Sequence, residues 1–307
     1  MLKISVLQNE THFLQLTGLL FLILFFDVRA QSQFPSPMLN HTRAHQRVNG
    51  EEFSGVRCKI GGLVPKPVEV YLPQRNLKRD SVRLLIHFHG ATDVPIYAVE
   101  KSHEPYCLAN IQLGSGSAVY ENAFSAEKVL SRLIKMVGDS LDLVSGTEKH
   151  FSKIYLSAFS AGYGAVRAIL SQPNAERLVN GIILLDGLHT DYVPERQLLA
   201  EGGSLNTENL KPFLNYAHLA MQEKTRFIIT HSEIFPGTYA STTETADYLI
   251  QECRLSRKAV LKWGVLGMQQ LSQAQGGNFI VLGFAGNSAP DHVDHFHALF
   301  HFLDYMN

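Results

Sequence analysis

Several short apolar runs punctuate the chain, at Val82–Phe88, Ile154–Leu156, Gly181–Leu185, Phe227–Thr230 and Phe279–Leu282. Mostly continuous rather than alternating hydrophobicity predicts strands buried on both faces, as in a parallel sheet. Val68 to Leu72 alternates instead and predicts a half-buried strand. Between these runs the apolar spacing changes to three and four. Val129, Leu130, Leu133, Ile134 and Val137 predict an amphipathic helix over Ala126 to Val137, and Val166, Ile169 and Leu170 predict another. Val293, Phe296, Phe300 and Leu303 predict a final helix, whose start is marked by Ser288, Pro290 and Asp291. Strand and helix alternate, so the expected class is α/β: a mostly parallel central sheet with helices on both faces. Residues 187–222 contain Pro194, the Gly202-Gly203 pair and Pro212, and predict an excursion that forms a lid or pocket wall. No internal repeat is visible.

The most apolar stretch, Phe13 to Phe26, is followed by Val28 and Ala30 at the small-residue positions a signal peptidase needs. A signal peptide over residues 1–30, cleaved after Ala30, is therefore expected. The stretch is shorter than the roughly 20 residues of a bilayer span, so no stable membrane span is expected in the mature chain. The expected location is secreted or periplasmic. Residues 31–55, with Pro35 and Pro37, read as a poorly ordered leader ahead of a single domain over 56–307. The 307 residues are 45% hydrophobic and 18% charged, enough apolar content for one large core. A net charge of -1 gives no electrostatic reason for a nucleic-acid partner. Cys58, Cys107 and Cys253 allow at most one disulfide, of unreadable pairing, and lack the C-x-x-C spacing of a zinc site. Asn40-His41-Thr42 is a glycosylation sequon only in a eukaryotic source.

The chemistry concentrates at Ile154-Tyr155-Leu156-Ser157-Ala158-Phe159-Ser160-Ala161-Gly162-Tyr163-Gly164. An apolar run ends in Ser160 bracketed by small residues, the pattern of a nucleophile elbow, where a sharp strand-to-helix turn lifts a serine hydroxyl above the sheet. Ala158 stands where the G-x-S-x-G spelling has its first glycine. Ser160 as a helix N-cap is the alternative on the local string alone.

Elbow, strands and chain order together resemble the α/β-hydrolase superfamily over Val56 to Asn307, with no closer family assigned. The resemblance implies a nucleophile, an acid and a histidine in that order. It implies a serine hydrolase that needs no cofactor or metal, acting on a small-molecule or polymer-borne acyl substrate. Asp186, at the end of Gly181–Leu185 and followed by Gly187, is the leading acid. Family members more often place the acid one strand later, where Glu233 is the candidate. For the histidine, the helical phase puts His292 first and His295 second. The oxyanion donors implied are the amides of Ala161 and, in the His-Gly segment after Phe88, of Ala91 beside Gly90. Tyr120, Tyr163 and Tyr192 are candidates for a pocket wall.

Two other readings use the same residues. His87-x-His89, with Asp291, His292, Asp294 and His295, suits a zinc-dependent metallohydrolase. A hydrolase-like fold retained as a non-catalytic extracellular binding protein is the third.

Overall fold

The computed structural model describes residues 45–48 and 51–307; the expected signal peptide, its cleavage point at Ala30 and the Asn40 sequon lie outside the described residues, as does most of the expected leader. Ten strands form one sheet: β1 (Gly55–Ile60), β2 (Val68–Pro73), β3 (Ser81–Phe88), β4 (Tyr106–Ile111), β5 (His150–Phe159), β6 (Gly181–Leu185), then, after a small hairpin of β7 (Tyr192–Val193) and β8 (Ser204–Leu205), β9 (Arg226–His231), β10 (Lys258–Trp263), β11 (Gln269–Gly276) and β12 (Phe279–Phe284). Their spatial order is β1-β2-β4-β3-β5-β6-β9-β12-β11-β10. The six central strands from β4 to β12 pair in parallel. Two strands at each edge, β1 and β2 on one side and β11 and β10 on the other, are antiparallel to their neighbours.

The continuous runs become central strands because both of their faces are covered. Successive side chains of a strand point to opposite faces. Leu84, Ile86, Phe88, Leu156, Ala158, Ile182 and Leu184 pack into one apolar cluster with Leu133 and Val137 of helix Val129–Ser145 and Phe213 of helix Lys211–Met221. The intervening Leu85, Tyr155, Ile183 and Leu185 pack into a second with Ile96 and Val99 of helix Asp93–Lys101 and with Phe296, Leu299 and Phe302. Helix Val129–Ser145 starts later and runs further than the expected 126–137. The 187–222 stretch divides in two. Its first part holds the β7-β8 hairpin, and its second is helix Lys211–Met221, whose Phe213, Tyr216, Ala217 and Ala220 are buried against the sheet.

The final helix, Ala289–His297, begins as its sequence dictates. Ser288 accepts from the Asp291 amide while the Asp291 carboxylate accepts from Ser288, a capping box with Pro290 in the first turn. From the leader, His45 Nδ1 lies 2.8 Å from Asp294, Arg47 donates to Asp294 and to the Pro290 carbonyl, and the Val48 amide donates to His297. Cys58, Cys107 and Cys253 are free thiols. No helix among the described residues is long and apolar enough to cross a membrane.

Candidate active site

Ser160 follows β5 directly and lies in a 3-10 turn, Ser160–Gly162, that leads into helix Tyr163–Leu170. It is not the N-cap of that helix, a position held by Gly162. Its φ is 47°, a left-handed conformation that a residue with a Cβ adopts only at a cost. The turn can form because its neighbours are small. A Cβ on Gly162 would fall 2.3 Å from the Phe88 carbonyl oxygen, and one on Gly164 would fall 2.2 Å from that of Ser117. Strand end, strained serine and closely seated helix are the physical content of an elbow.

Asp186 follows β6 and is also left-handed, with φ 43°. The next residue, Gly187, lies so close to Ser160 that a Cβ on it would meet the Ser160 amide nitrogen and carbonyl oxygen at 2.6 Å. The Asp186 carboxylate is buried and fully engaged. It accepts from the Ser232 amide (2.8 Å) and hydroxyl (2.7 Å), from Thr242 Oγ1 (2.6 Å) and from His292 Nδ1 (2.7 Å). Burial alone pushes this carboxyl up, but His295, His292 and the Thr242 hydroxyl outweigh it and hold the group well below the usual carboxylate range. An ionised carboxylate can only accept, so the His292 proton sits on Nδ1 and Nε2 is left as the basic nitrogen. The His292 ring is partly exposed and packs 4.6 Å from the ring of Phe159, the residue that precedes Ser160. Ser160, Asp186 and His292 line one cavity of about 250 Å³.

The other candidates have different surroundings. His295 is buried, and its Nδ1 bonds to Thr230 Oγ1 at 2.7 Å. Glu233 ties two loops together, its amide donating to the Gly286 carbonyl and its carboxylate accepting from the Gly286 amide. Ala161 lines a second cavity beside Ser160, whereas Gly90 and Ala91 line a different one, and the Gly90 amide donates to Gln112 Oε1 at 3.2 Å. Of the three tyrosines, Tyr163 faces the cavity beside Ser160. Tyr120 is buried against His89 and Gln112, and Tyr192 is buried against Glu244.

The histidines suggested as zinc ligands do not converge. His87 is buried between Ser157 and the His89 carbonyl, and burial pushes its pKa down to about 3. His89 turns to Tyr120, His292 to Asp186 and His295 to Thr230. His45, Asp291 and Asp294 do approach within 4.8 Å of one another, but the Arg47 guanidinium already lies on Asp294 and Asp291 closes the capping box. A cation there would face a fixed positive charge.

Three residues around the site carry little signal in the sequence. Ser232 and Thr242, the donors that fix Asp186, are ordinary loop and helix-start residues, and only their position above the sheet gives them a role. His189 was equally silent. It is half-buried beside Ser160, donating Nδ1 to the Ala240 carbonyl at 2.9 Å.

No family model matches the sequence, and no curated protein does. Among solved structures the chain is similar to Est1E from Butyrivibrio proteoclasticus, with 11% identity over 81% of this chain and 98% of that one at a TM-score of 0.42. It is similar to the S-formylglutathione hydrolase FrmB from Staphylococcus aureus, with 12% identity over 85% and 99% at a TM-score of 0.44. It is also similar to carboxyl esterase 2 from Tuber melanosporum, with 13% identity over 91% and 96% at 0.44. This chain has the α/β-hydrolase fold. Its own strand order, with β4 and β3 crossed ahead of β5 and an elbow at the end of β5, carries that assignment.

Proposed function

We propose that this protein is a serine hydrolase that cleaves an ester or related acyl bond through an acyl-enzyme intermediate. The observation that carries the reading is the hydrogen bond of 2.7 Å between Asp186 and His292 in the cavity that the left-handed Ser160 also lines. A serine hydroxyl is a weak nucleophile at neutral pH, and a histidine with a free Nε2, oriented by a buried carboxylate, is what activates it. Ser160 Oγ attacks the substrate carbonyl carbon while its proton passes to His292 Nε2. The resulting cation is stabilised by Asp186, which stays ionised because its pKa is held low. The tetrahedral oxyanion is held by the Ala161 amide. As the intermediate collapses, the bond to the leaving group breaks and the leaving atom takes the proton from His292. Water then repeats the sequence on the acyl-enzyme and releases the acid.

The apolar Phe13–Phe26 segment, with Val28 and Ala30 after it, supports export to a secreted or periplasmic location. A fluorophosphonate probe tests the mechanism. Labelling of Ser160, its loss in Ser160→Ala, and a fall in ester turnover of about 10⁴-fold or more in that variant are the expected results. An unlabelled wild-type chain is the result expected of a non-catalytic binding protein. Turnover that survives Ser160→Ala and is abolished by a chelator points to a metallohydrolase.

A further inference from the structure

Ser160 borders two cavities rather than one. The first, about 330 Å³, also has Ala161, Ser117, Tyr163, Thr190 and Asp191 on its walls. The second, about 250 Å³, has His292, Asp186, Ile234, Pro236 and Ala289. His189 and Tyr239 line both, with their rings edge to face at 5.0 Å, and form the partition between them.

The chemistry of acyl transfer assigns a half of the substrate to each, on the reading of Ser160 and His292 as nucleophile and base. The atom that leaves takes its proton from His292. The leaving group therefore occupies the cavity that His292 lines. With the carbonyl oxygen on the Ala161 amide, the acyl chain runs into the cavity that His292 does not line.

The two cavities offer different partners. On the leaving-group side the Thr242 and Ser288 hydroxyls are already committed, to Asp186 and to Asp291, and Asn287 and Tyr239 stand beside an apolar wall of Ile234, Pro236 and Ala289. The acyl side holds a hydroxyl able to donate, that of Ser117, whose oxygen accepts from Tyr163, and beside it presents acceptors. His189 donates Nδ1 to a carbonyl, so in the neutral ring Nε2 carries the lone pair, and desolvation pushes its pKa down. Thr190 Oγ1 donates to the Asn206 carbonyl at 2.8 Å, so toward any other partner its hydroxyl can only accept. Asp191 adds a carboxylate, one oxygen of which accepts from Asn209 Nδ2 at 3.4 Å while the other has no hydrogen-bond donor on it among the described residues. Arg167, the cation that Asp191 acts on electrostatically, is closed on Glu121 by two hydrogen bonds.

We infer that the acyl half of the substrate carries a hydrogen-bond donor, a hydroxyl or an ammonium group, which Asp191 reads together with Thr190 and His189. Three 4-nitrophenyl esters of one acyl shape test this: 3-methylbutanoate, 3-hydroxybutanoate and 3-aminobutanoate. At least one donor-bearing ester is expected to exceed 3-methylbutanoate in kcat/KM by about tenfold or more. Whichever of the two leads identifies the donor as hydroxyl or ammonium. In Asp191→Leu the ratio to 3-methylbutanoate is expected to collapse toward one. Asp191 is exposed, so this substitution leaves the core untouched. Equal or faster turnover of 3-methylbutanoate by the wild type overturns the assignment, and so does a ratio that survives Asp191→Leu. Fluorophosphonate labelling run in parallel separates the two failures. A labelled Ser160 with the wrong acyl preference overturns this inference alone, whereas an unlabelled chain overturns the hydrolase reading beneath it.

Discussion

Ser160 and Asp186 are both left-handed, at φ 47° and 43°, and neither is glycine. Such backbone costs a residue with a Cβ on the order of 1 to 2 kcal/mol, and the surrounding structure holds it in place. Strain at the two ends of β5 and β6 therefore accompanies the placing of their side chains above the sheet. Ser160→Gly removes the Cβ clash together with the hydroxyl. It is expected to stabilise the fold by about 1 kcal/mol in urea unfolding while abolishing probe labelling. A variant that is destabilised, or unchanged in stability, contradicts the claim that the serine is strained. Hydrogen bonding explains why Asp186 and Glu233 differ at this scale. Asp186 is buried under four donors, whereas Glu233 accepts one backbone amide at a loop surface.

The elements around Ser160 depend on close approach. Helix Tyr163–Leu170 sits on Ser117 through Gly164, and an added methyl there has only a backbone carbonyl oxygen to push against. Gly164→Ala is expected to destabilise the protein by about 1 to 3 kcal/mol, read as a lower urea midpoint, because the helix must move off its neighbours. An unchanged midpoint would show that the helix has room. The small residues of this segment, and the Ser288, Pro290 and Asp291 start of the final helix, were legible in the sequence because their roles are local. Edge strands were not. β10 (Lys-Ala-Val-Leu-Lys-Trp) and β11 (Gln-Gln-Leu-Ser-Gln-Ala-Gln-Gly) are polar, and Leu261 and Trp263 are largely exposed. What makes them strands is the ladder to β12, a partner set by tertiary contact rather than by any pattern of their own. β4, fully buried, escaped for a different reason. Its run Tyr-Cys-Leu-Ala-Asn-Ile is interrupted by Asn110, which donates to Thr92 from inside the sheet.

At the scale of the whole molecule, five of the six parallel strands could be read from the succession of apolar runs, whereas the spatial order, with β4 crossed to the far side of β3, could not. Nor could the convergence of side chains above the sheet. His292 and His295 share a helix and differ in what they reach, Asp186 for one and Thr230 for the other, and that is a matter of three-dimensional distance. The whole fold also sets a pH dependence. Burial pushes His87 and His231 down to about 3, the second helped by Arg257. In the unfolded chain both titrate near about 6.5. Between these values the unfolded chain binds more protons than the folded one, so stability is fully present above about pH 6.5 and is lost as pH falls toward 3. Each histidine contributes a slope approaching about 1.4 kcal/mol per pH unit within that window. Urea midpoints at pH 7, 6 and 5 are expected to decline in that order, and a flat series would exclude the effect.

Gly187 rests on the backbone of Ser160, so the loop that carries Asp186 and the turn that carries Ser160 are mechanically one piece. Such an arrangement fixes the number of residues between them and the sheet. A one-residue insertion between Asp186 and Leu188 is expected to abolish labelling, because the extra chain has nowhere to go but into the elbow. The same insertion between Glu195 and Gly202, at the exposed tip of the β7-β8 hairpin, is expected to leave labelling intact. Length variation among chains that share this site should therefore gather at the hairpin and be absent from the three residues that close over the serine.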